Sequence, residues 1–163
     1  MPEQTATSRK QFTITRVFAA PRELVWRAWI DPEEVAFWWH PRDVVTPRES
    51  IEIDARPGGR YRYTMIAADG TEYPTGGVYR EITPPERLVL TWGSPDEPDD
   101  SASVITVELA VHGDDGDETR MTFHLQGIDG VPGDDNVYDG WASAFDMLDE
   151  RIDTRDHPDS GAL

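Results

Sequence analysis

The stretch VYDGWASAFDMLDERI, residues 137–152, has the clearest periodicity in the chain. Val137, Trp141, Phe145, Leu148 and Ile152 recur every three or four residues, which is the spacing of one face of an α-helix. Polar side chains fall on the opposite face, at Asp139, Ser143, Asp146, Glu150 and Asp153. Because two large aromatic residues lie on the apolar face, this helix requires an extended apolar surface to pack against.

The residues before this stretch indicate where the helix begins. Asp134, Asp135 and Asn136 follow Pro132-Gly133, and all three are residue types that cap helix N-termini. Their negative charge also suits the positive end of a helix dipole. We therefore predict a helix that starts just before Val137.

The beginning of the chain predicts one strand and two short helices. Residues 12–18 alternate between apolar and polar side chains, as in a strand with one buried face. Pro21 is expected at the first position of the first helix, and Asp31 is expected to cap the second, with Pro32 at its first position. His40-Pro41 should end the second helix.

The middle of the chain alternates in the same way and is divided by turn residues such as Pro57-Gly58-Gly59 and Asp69-Gly70. The predicted strands cover residues 51–53, 60–65, 78–82, 88–92, 105–111 and 121–125. Strands that are segregated from helices are typical of an α+β fold with an antiparallel sheet packed on a helix. Clean alternation indicates that one sheet face is covered and the other is wet.

Composition limits the classes of partner and site. The chain has 163 residues with 32 Asp and Glu against 15 Lys and Arg, a net charge of −17. Such a chain repels polyanions, so we expect it to bind neither nucleic acid nor a membrane. It contains no cysteine, which excludes disulfides and thiolate metal sites.

The same features predict one domain in the cytoplasm. Residues 1–11 are polar and are expected to be a disordered tail, and residues 156–163 a frayed one. No apolar run approaches the roughly 20 residues of a membrane span. Residues 12–155 would then form a single domain.

Several motifs together resemble one family, the bacterial homologues of the activator of the heat-shock protein 90 ATPase. The resemblance covers roughly residues 12–153, and the order and spacing of the motifs are more specific than any one of them. The motifs are AAPRELVWRAW (19–29), Asp31-Pro32-Glu33 followed by Trp38-Trp39, RPGGRY (56–61), PPERL (84–88) followed by Thr91-Trp92, and Gly140-Trp141.

The resemblance implies a START-like, helix-grip fold of the SRPBCC superfamily. In this fold a curved antiparallel sheet wraps around a long C-terminal helix, two short helices follow the first strand, and an apolar cavity commonly lies between sheet and helix. The chain departs from the family at His40, where relatives often carry glycine, and in its acidic loops at 94–101 and 113–118.

A cavity between sheet and helix would be lined by large side chains from several elements. The candidate ligand-binding residues are Trp38, Trp39, Tyr61, Tyr63, Met65, Tyr79, Trp92, Phe123, Trp141 and Phe145. Such a pocket is typically about 300–1,000 Å³ and apolar, with a few placed polar groups. The alternative is that these side chains simply fill the core.

The parity of one strand leaves a further alternative open. If Tyr61 and Tyr63 point inward, Arg60 and Arg62 lie on the outer face of the sheet. If the parity is reversed, Arg62 would face the cavity and bind an acidic group of the ligand. His40 ends a helix near the expected cavity mouth and is the best acid or base candidate, although a structural role is also consistent with its position.

Three functions remain open from the sequence. The first is binding of a small hydrophobic or aromatic molecule, without metal or cofactor, since no zinc, phosphate-loop or dinucleotide motif is present. The second is regulation of a chaperone ATPase, as the family name implies, with a chaperone or a homodimer partner. The third is an enzyme of the cyclase or hydratase kind that uses the same cavity.

Overall fold

The computed structural model describes residues 10–40, 44–94, 102–114, 116–133 and 137–156, with side chains up to residue 152. The strands are β1 (Gln11–Phe18), β2 (Val44–Val45), β3 (Glu52–Ile53), β4 (Arg60–Ala67), β5 (Glu72–Thr83), β6 (Arg87–Trp92), β7 (Ser103–His112) and β8 (Glu118–Gln126). The α-helices are α1 (Arg22–Ile30), α2 (Pro32–Val35) and α3 (Val137–Asp156), and a 3₁₀ turn spans Arg48–Ser50. The predicted cap residues 134–136 and most residues of both tails and of the 94–101 loop lie outside the described residues.

The strands form one curved antiparallel sheet. Its order is β1-β8-β7-β6-β5-β4-β2, and β3 also pairs with β4. Strands β4 to β8 follow one another as a meander, and β1 adds to β8 at one edge. The predicted α+β fold, a curved sheet around a C-terminal helix with short helices after the first strand, is confirmed.

Helix α3 buries the predicted apolar face against the concave side of the sheet. Trp141, Phe145, Leu148 and Ile152 are all buried. The ring centroid of Phe123 on β8 lies 4.8 Å from that of Trp141 and 5.1 Å from that of Phe145. Burying each such side chain stabilises the fold by roughly 1.5–3 kcal/mol, so this face fixes the helix on the sheet.

The two short helices close one end of the interior. Asp31 caps α2 as predicted, because its carboxylate accepts a hydrogen bond from the Glu33 backbone N–H at 2.9 Å. Pro21 differs from the prediction: it is the N-cap of α1 rather than its first helical residue. Its backbone is extended, with ψ of 160°, while its carbonyl already accepts the Leu24 N–H at 3.0 Å.

Strand β4 has the parity that places its tyrosines inward. Tyr61 and Tyr63 are buried, whereas Arg60 and Arg62 are exposed. The reversed parity, with Arg62 facing the cavity, is therefore wrong. It fails because the phenol rings bury far more apolar surface than a guanidinium could without a charged partner.

Strand β5 is longer than predicted and includes residues that usually mark turns. It begins at Glu72 rather than Val78 and runs through Pro74 and Gly77. Pro74 lies in the part of β5 that pairs with β4 and, within the described ranges, not with β6. A Cβ on Gly77 would lie 2.1 Å from the Thr91 carbonyl oxygen, so this glycine permits close strand approach rather than a turn.

Candidate functional site

A pocket of about 190 Å³, partly open to solvent, lies between the first half of α3 and the concave face of the sheet. Two of its lining residues follow α2, three come from strands β4 and β6, and four come from α3. They are Trp39 and His40, then Tyr63, Met65 and Trp92, then Val137, Gly140, Trp141 and Ala144.

Small residues on α3 leave this space open. Gly140 and Ala144 are four residues apart and therefore lie on the same face of the helix, one turn above the other. Both line the pocket, as do Tyr63 and Met65 on β4. Phe145, the residue after Ala144, and Leu148, one turn beyond Ala144, are fully buried, and the interior is filled around them.

Aromatic rings form most of the pocket wall. The Trp39 and Tyr63 ring centroids are 4.9 Å apart, and those of Trp92 and Trp141 are 5.5 Å apart. Tilted and edge-to-face contacts at these distances favour fixed ring positions. The wall therefore presents flat apolar surfaces of defined orientation to whatever enters the pocket.

A few polar atoms interrupt this wall. The Trp92 Nε1–H donates a hydrogen bond to the Tyr63 hydroxyl oxygen at 3.0 Å. Burial raises the pKa of the Tyr63 phenol well above its ordinary value, although the bond from Trp92 lowers it in part. Tyr63 is thus a neutral phenol at physiological pH. His40, which is half-buried, adds an imidazole to the lining.

A second, narrower space adjoins the pocket and has no room for a water molecule. Trp39, Tyr63, Trp92 and Trp141 border both spaces. The narrow space therefore lies directly behind the aromatic wall, and Trp29 forms part of its far side.

The structure brings only some of the predicted ligand-binding residues to the pocket. Trp39, Tyr63, Met65, Trp92 and Trp141 line it, together with His40. The other five, Trp38, Tyr61, Tyr79, Phe123 and Phe145, are buried in the core away from it.

Hydrogen bonds and ring contacts account for most of these core positions. The Trp38 Nε1–H donates to the Ala28 carbonyl at 3.0 Å, and the Tyr61 hydroxyl donates to the Thr91 carbonyl at 2.6 Å. Phe145 has ring contacts with Trp38 and Phe123 at 5.9 and 5.1 Å. These side chains pack behind the residues that line the pocket and would not contact a molecule bound in it.

Sequence reasoning missed Val137, Gly140 and Ala144, because it searched for large side chains. The available signal was a pair of small residues four apart on the apolar side of the helix. In the described part of the chain, no group of three or more His, Asp or Glu residues is placed to hold a metal ion. No helix among the described residues is long and apolar enough to cross a bilayer.

The fold and this pocket define the class of helix-grip proteins. The family model described as "Activator of Hsp90 ATPase homolog 1-like protein" matches residues 19–153. The chain therefore belongs to this family, which confirms the resemblance seen in the sequence motifs. No match to a curated protein was found.

Solved structures agree with this assignment. A protein from Chromobacterium violaceum is 30% identical, with a TM-score of 0.73 over 86% of this chain and 96% of that one. A protein from Nitrosomonas europaea is 24% identical, with a TM-score of 0.75 over 90% and 96%. PFC0360w, a Plasmodium falciparum protein described as an HSP90 activator, is 22% identical, with a TM-score of 0.52 over 75% and 76%.

Proposed function

We propose that the protein binds a small, uncharged ring compound in the pocket between α3 and strands β4 and β6. The observation that supports this most strongly is a preformed space of about 190 Å³ whose wall consists mainly of indole, phenol and thioether groups. Apolar pockets with few polar groups are the usual form of small-molecule sites. A cytoplasmic location is part of the proposal.

The size of the pocket narrows the ligand class. From the sequence we expected a pocket of roughly 300–1,000 Å³, the size of typical drug-sized sites, and the observed pocket is smaller. An engineered apolar cavity of about 150 Å³ binds benzene. A pocket of about 190 Å³ therefore fits one aromatic ring with a short substituent, and it is too small for a sterol or a fused polycyclic molecule.

The charge of the site excludes strongly charged ligands. None of the described residues that line the pocket is a lysine or an arginine, and the whole chain carries a net charge of −17. An organic anion would lose its hydration without gaining a cationic partner. A cation would gain from the overall charge and from the faces of the aromatic rings, but the described lining offers it no carboxylate partner, so an uncharged molecule is the simplest fit.

Filling the pocket from the helix side tests this proposal. In Ala144→Leu an isobutyl group replaces a methyl group that lines the pocket. Binding of fluorobenzene, followed by ¹⁹F NMR line broadening, should weaken at least about tenfold because the ring loses its space. Ala142→Leu is the matched control, since Ala142 lies on the same helix but does not line the pocket.

Two outcomes decide the result. Fluorobenzene that binds the wild type and Ala142→Leu, but not a folded Ala144→Leu, supports a ligand site. Absence of any ring binding to the wild type, or equal binding to all three proteins, contradicts it. Thermal unfolding of each variant checks that the fold is retained.

A second candidate is regulation of an Hsp90-class ATPase. It is favoured by the description of the matching family and by the structural similarity to the Plasmodium activator. Adding the protein to a bacterial Hsp90-class chaperone should change its ATPase rate if this candidate is correct. Unchanged rates at both low and high salt would count against it, because charge-based docking of so acidic a chain depends on ionic strength.

The third function predicted from the sequence, a cyclase-type or hydratase-type enzyme, has less support. Among the described lining residues, His40 and Tyr63 are the titratable ones. Burial moves the pKa of Tyr63 further from neutrality, which makes the phenol a poor acid or base. This function stays a prediction, with His40 as its catalytic candidate.

A further inference from the structure

The hydrogen-bonding groups of the pocket are unequally divided between donors and acceptors. Tyr63 uses its hydroxyl oxygen to accept the Trp92 indole N–H at 3.0 Å. Within the described ranges, no acceptor lies within hydrogen-bond reach of the Tyr63 hydroxyl proton. The phenol is therefore held in place by Trp92, and its proton remains free to be donated to a ligand.

Trp39 provides a second donor that lacks a partner. Its side chain is buried, it lines the pocket, and its Nε1–H has no hydrogen-bond partner. The Nε1–H of Trp29, which borders the adjoining narrow space, also lacks one. A buried donor without an acceptor is costly, so an acceptor brought in by a ligand would recover part of that cost.

The described pocket lining has few groups that could accept a hydrogen bond from a ligand. Apart from His40, the described lining side chains carry only the Met65 thioether, which is a weak acceptor, and the Tyr63 oxygen, which already accepts the Trp92 indole N–H. A ligand hydroxyl or amine would bring a proton that needs an acceptor of its own. A carboxylate would bring a charge without a lysine or arginine partner among the described lining residues.

We infer that the ligand is an aryl carbonyl compound, a single ring with a ketone or aldehyde group, whose oxygen accepts the Tyr63 hydroxyl proton. The Trp39 indole N–H, which is buried and lacks a partner, is the second candidate donor. A carbonyl oxygen accepts two hydrogen bonds and donates none, so it supplies the acceptor that the donors of the pocket lining lack. This inference rests on the proposed function.

Paired probes of similar shape test it. Acetophenone carries the carbonyl group, and ethylbenzene has a similar shape without an acceptor. In the wild type, ¹⁵N-labelled at its indoles, acetophenone should move an indole N–H signal downfield, and ethylbenzene should not. Tyr63→Phe should weaken acetophenone binding about tenfold and leave ethylbenzene within about twofold.

Tyr79→Phe is the matched control for that variant. It removes the same atom from a tyrosine that is equally buried, does not line the pocket and has no partner for its hydroxyl. Both probes should bind it as they bind the wild type. If Tyr63→Phe does not fold, the indole signals of the wild type decide the question alone.

The outcomes separate this inference from the proposed function. If both probes bind but shift the indole signals alike, or lose affinity equally in Tyr63→Phe, the carbonyl inference is overturned and the ring site stands. If neither probe binds the wild type, both are overturned.

Discussion

The two halves of the interior differ although the same helix and the same sheet enclose both. At one end, Phe145 packs against Phe123 and Trp38, and the three side chains are fully buried. At the other end, Gly140 and Ala144 face Tyr63 and Met65 across an open pocket. The size of the helix side chains, rather than the curvature of the sheet alone, therefore decides where the interior is filled.

The largest effect should come from removing a ring at the filled end. Phe145→Ala leaves a cavity among rings that cannot close it, and it should lower the free energy of unfolding by about 3–5 kcal/mol. Urea denaturation measures this loss. A loss below about 1 kcal/mol would mean that this end is packed as loosely as the pocket.

Alkaline pH should lower the free energy of unfolding through three buried tyrosines on β4 and β5. Burial raises the pKa values of Tyr61, Tyr63 and Tyr79 above the ordinary value of 10.0. In the unfolded chain these phenols ionise near pH 10, so their contribution to stability is complete below that pH and is lost above it. One pH unit above that value, each of the three phenols should lower the free energy of unfolding by up to about 1.4 kcal/mol.

Measuring the free energy of unfolding from pH 9 to 11 checks this expectation. Tyr79→Phe should make the decline shallower by about one phenol's share. A stability that stays flat across pH 10 would show that the phenols ionise as freely in the folded protein as in the unfolded chain.

A smaller effect is expected at the link between β1 and α3. Arg16 Nη2 donates to the Ala142 carbonyl at 3.0 Å and to the Asp146 carboxylate at 2.8 Å, and its side chain is 26% exposed. Arg16→Met should cost about 1–2 kcal/mol, because a hydrogen bond to helix backbone and an ion pair are both lost.

The matched control is Arg56→Met, which breaks a more exposed pair with Asp54. It should cost less than about 1 kcal/mol. Chemical denaturation of both variants tests the difference. Equal losses would indicate that Arg16 holds the helix no more firmly than a surface ion pair does.

The smallest effect should be seen when buried hydroxyl groups are removed. Tyr61→Phe loses the hydrogen bond to the Thr91 carbonyl and should cost about 1 kcal/mol. Tyr79→Phe removes a buried hydroxyl that has no partner, so thermal unfolding should show no loss or a slight gain. A clear loss from Tyr79→Phe would reveal a partner for this hydroxyl.

The fold could be predicted because its signals are local. The spacing of Trp141, Phe145 and Leu148 predicts a helix, and the alternation on β4 put Tyr61 and Tyr63 on one strand face, which the structure shows to be the inner one. Strand β5 was underestimated because Pro74 and Gly77 resemble turn residues until their neighbours are known.

The pocket could be predicted only in part, because an open space depends on which side chains meet across the fold. Large residues were chosen as its lining, yet Phe123 and Phe145 fill the core. The absence of side-chain volume at Gly140 and Ala144 is what leaves the space. Periodicity identifies a helix face, but it does not reveal which strand residue lies opposite.

Intermolecular NOEs between bound ethylbenzene and the methyl groups of Met65 and Ala144 would show whether a ring occupies the pocket, since both residues line it. In the wild type the ring should give NOEs to both methyl groups, and Ala144→Leu should lose them. NOEs confined to exposed side chains such as Val45 or Val111, or none at all, would contradict it.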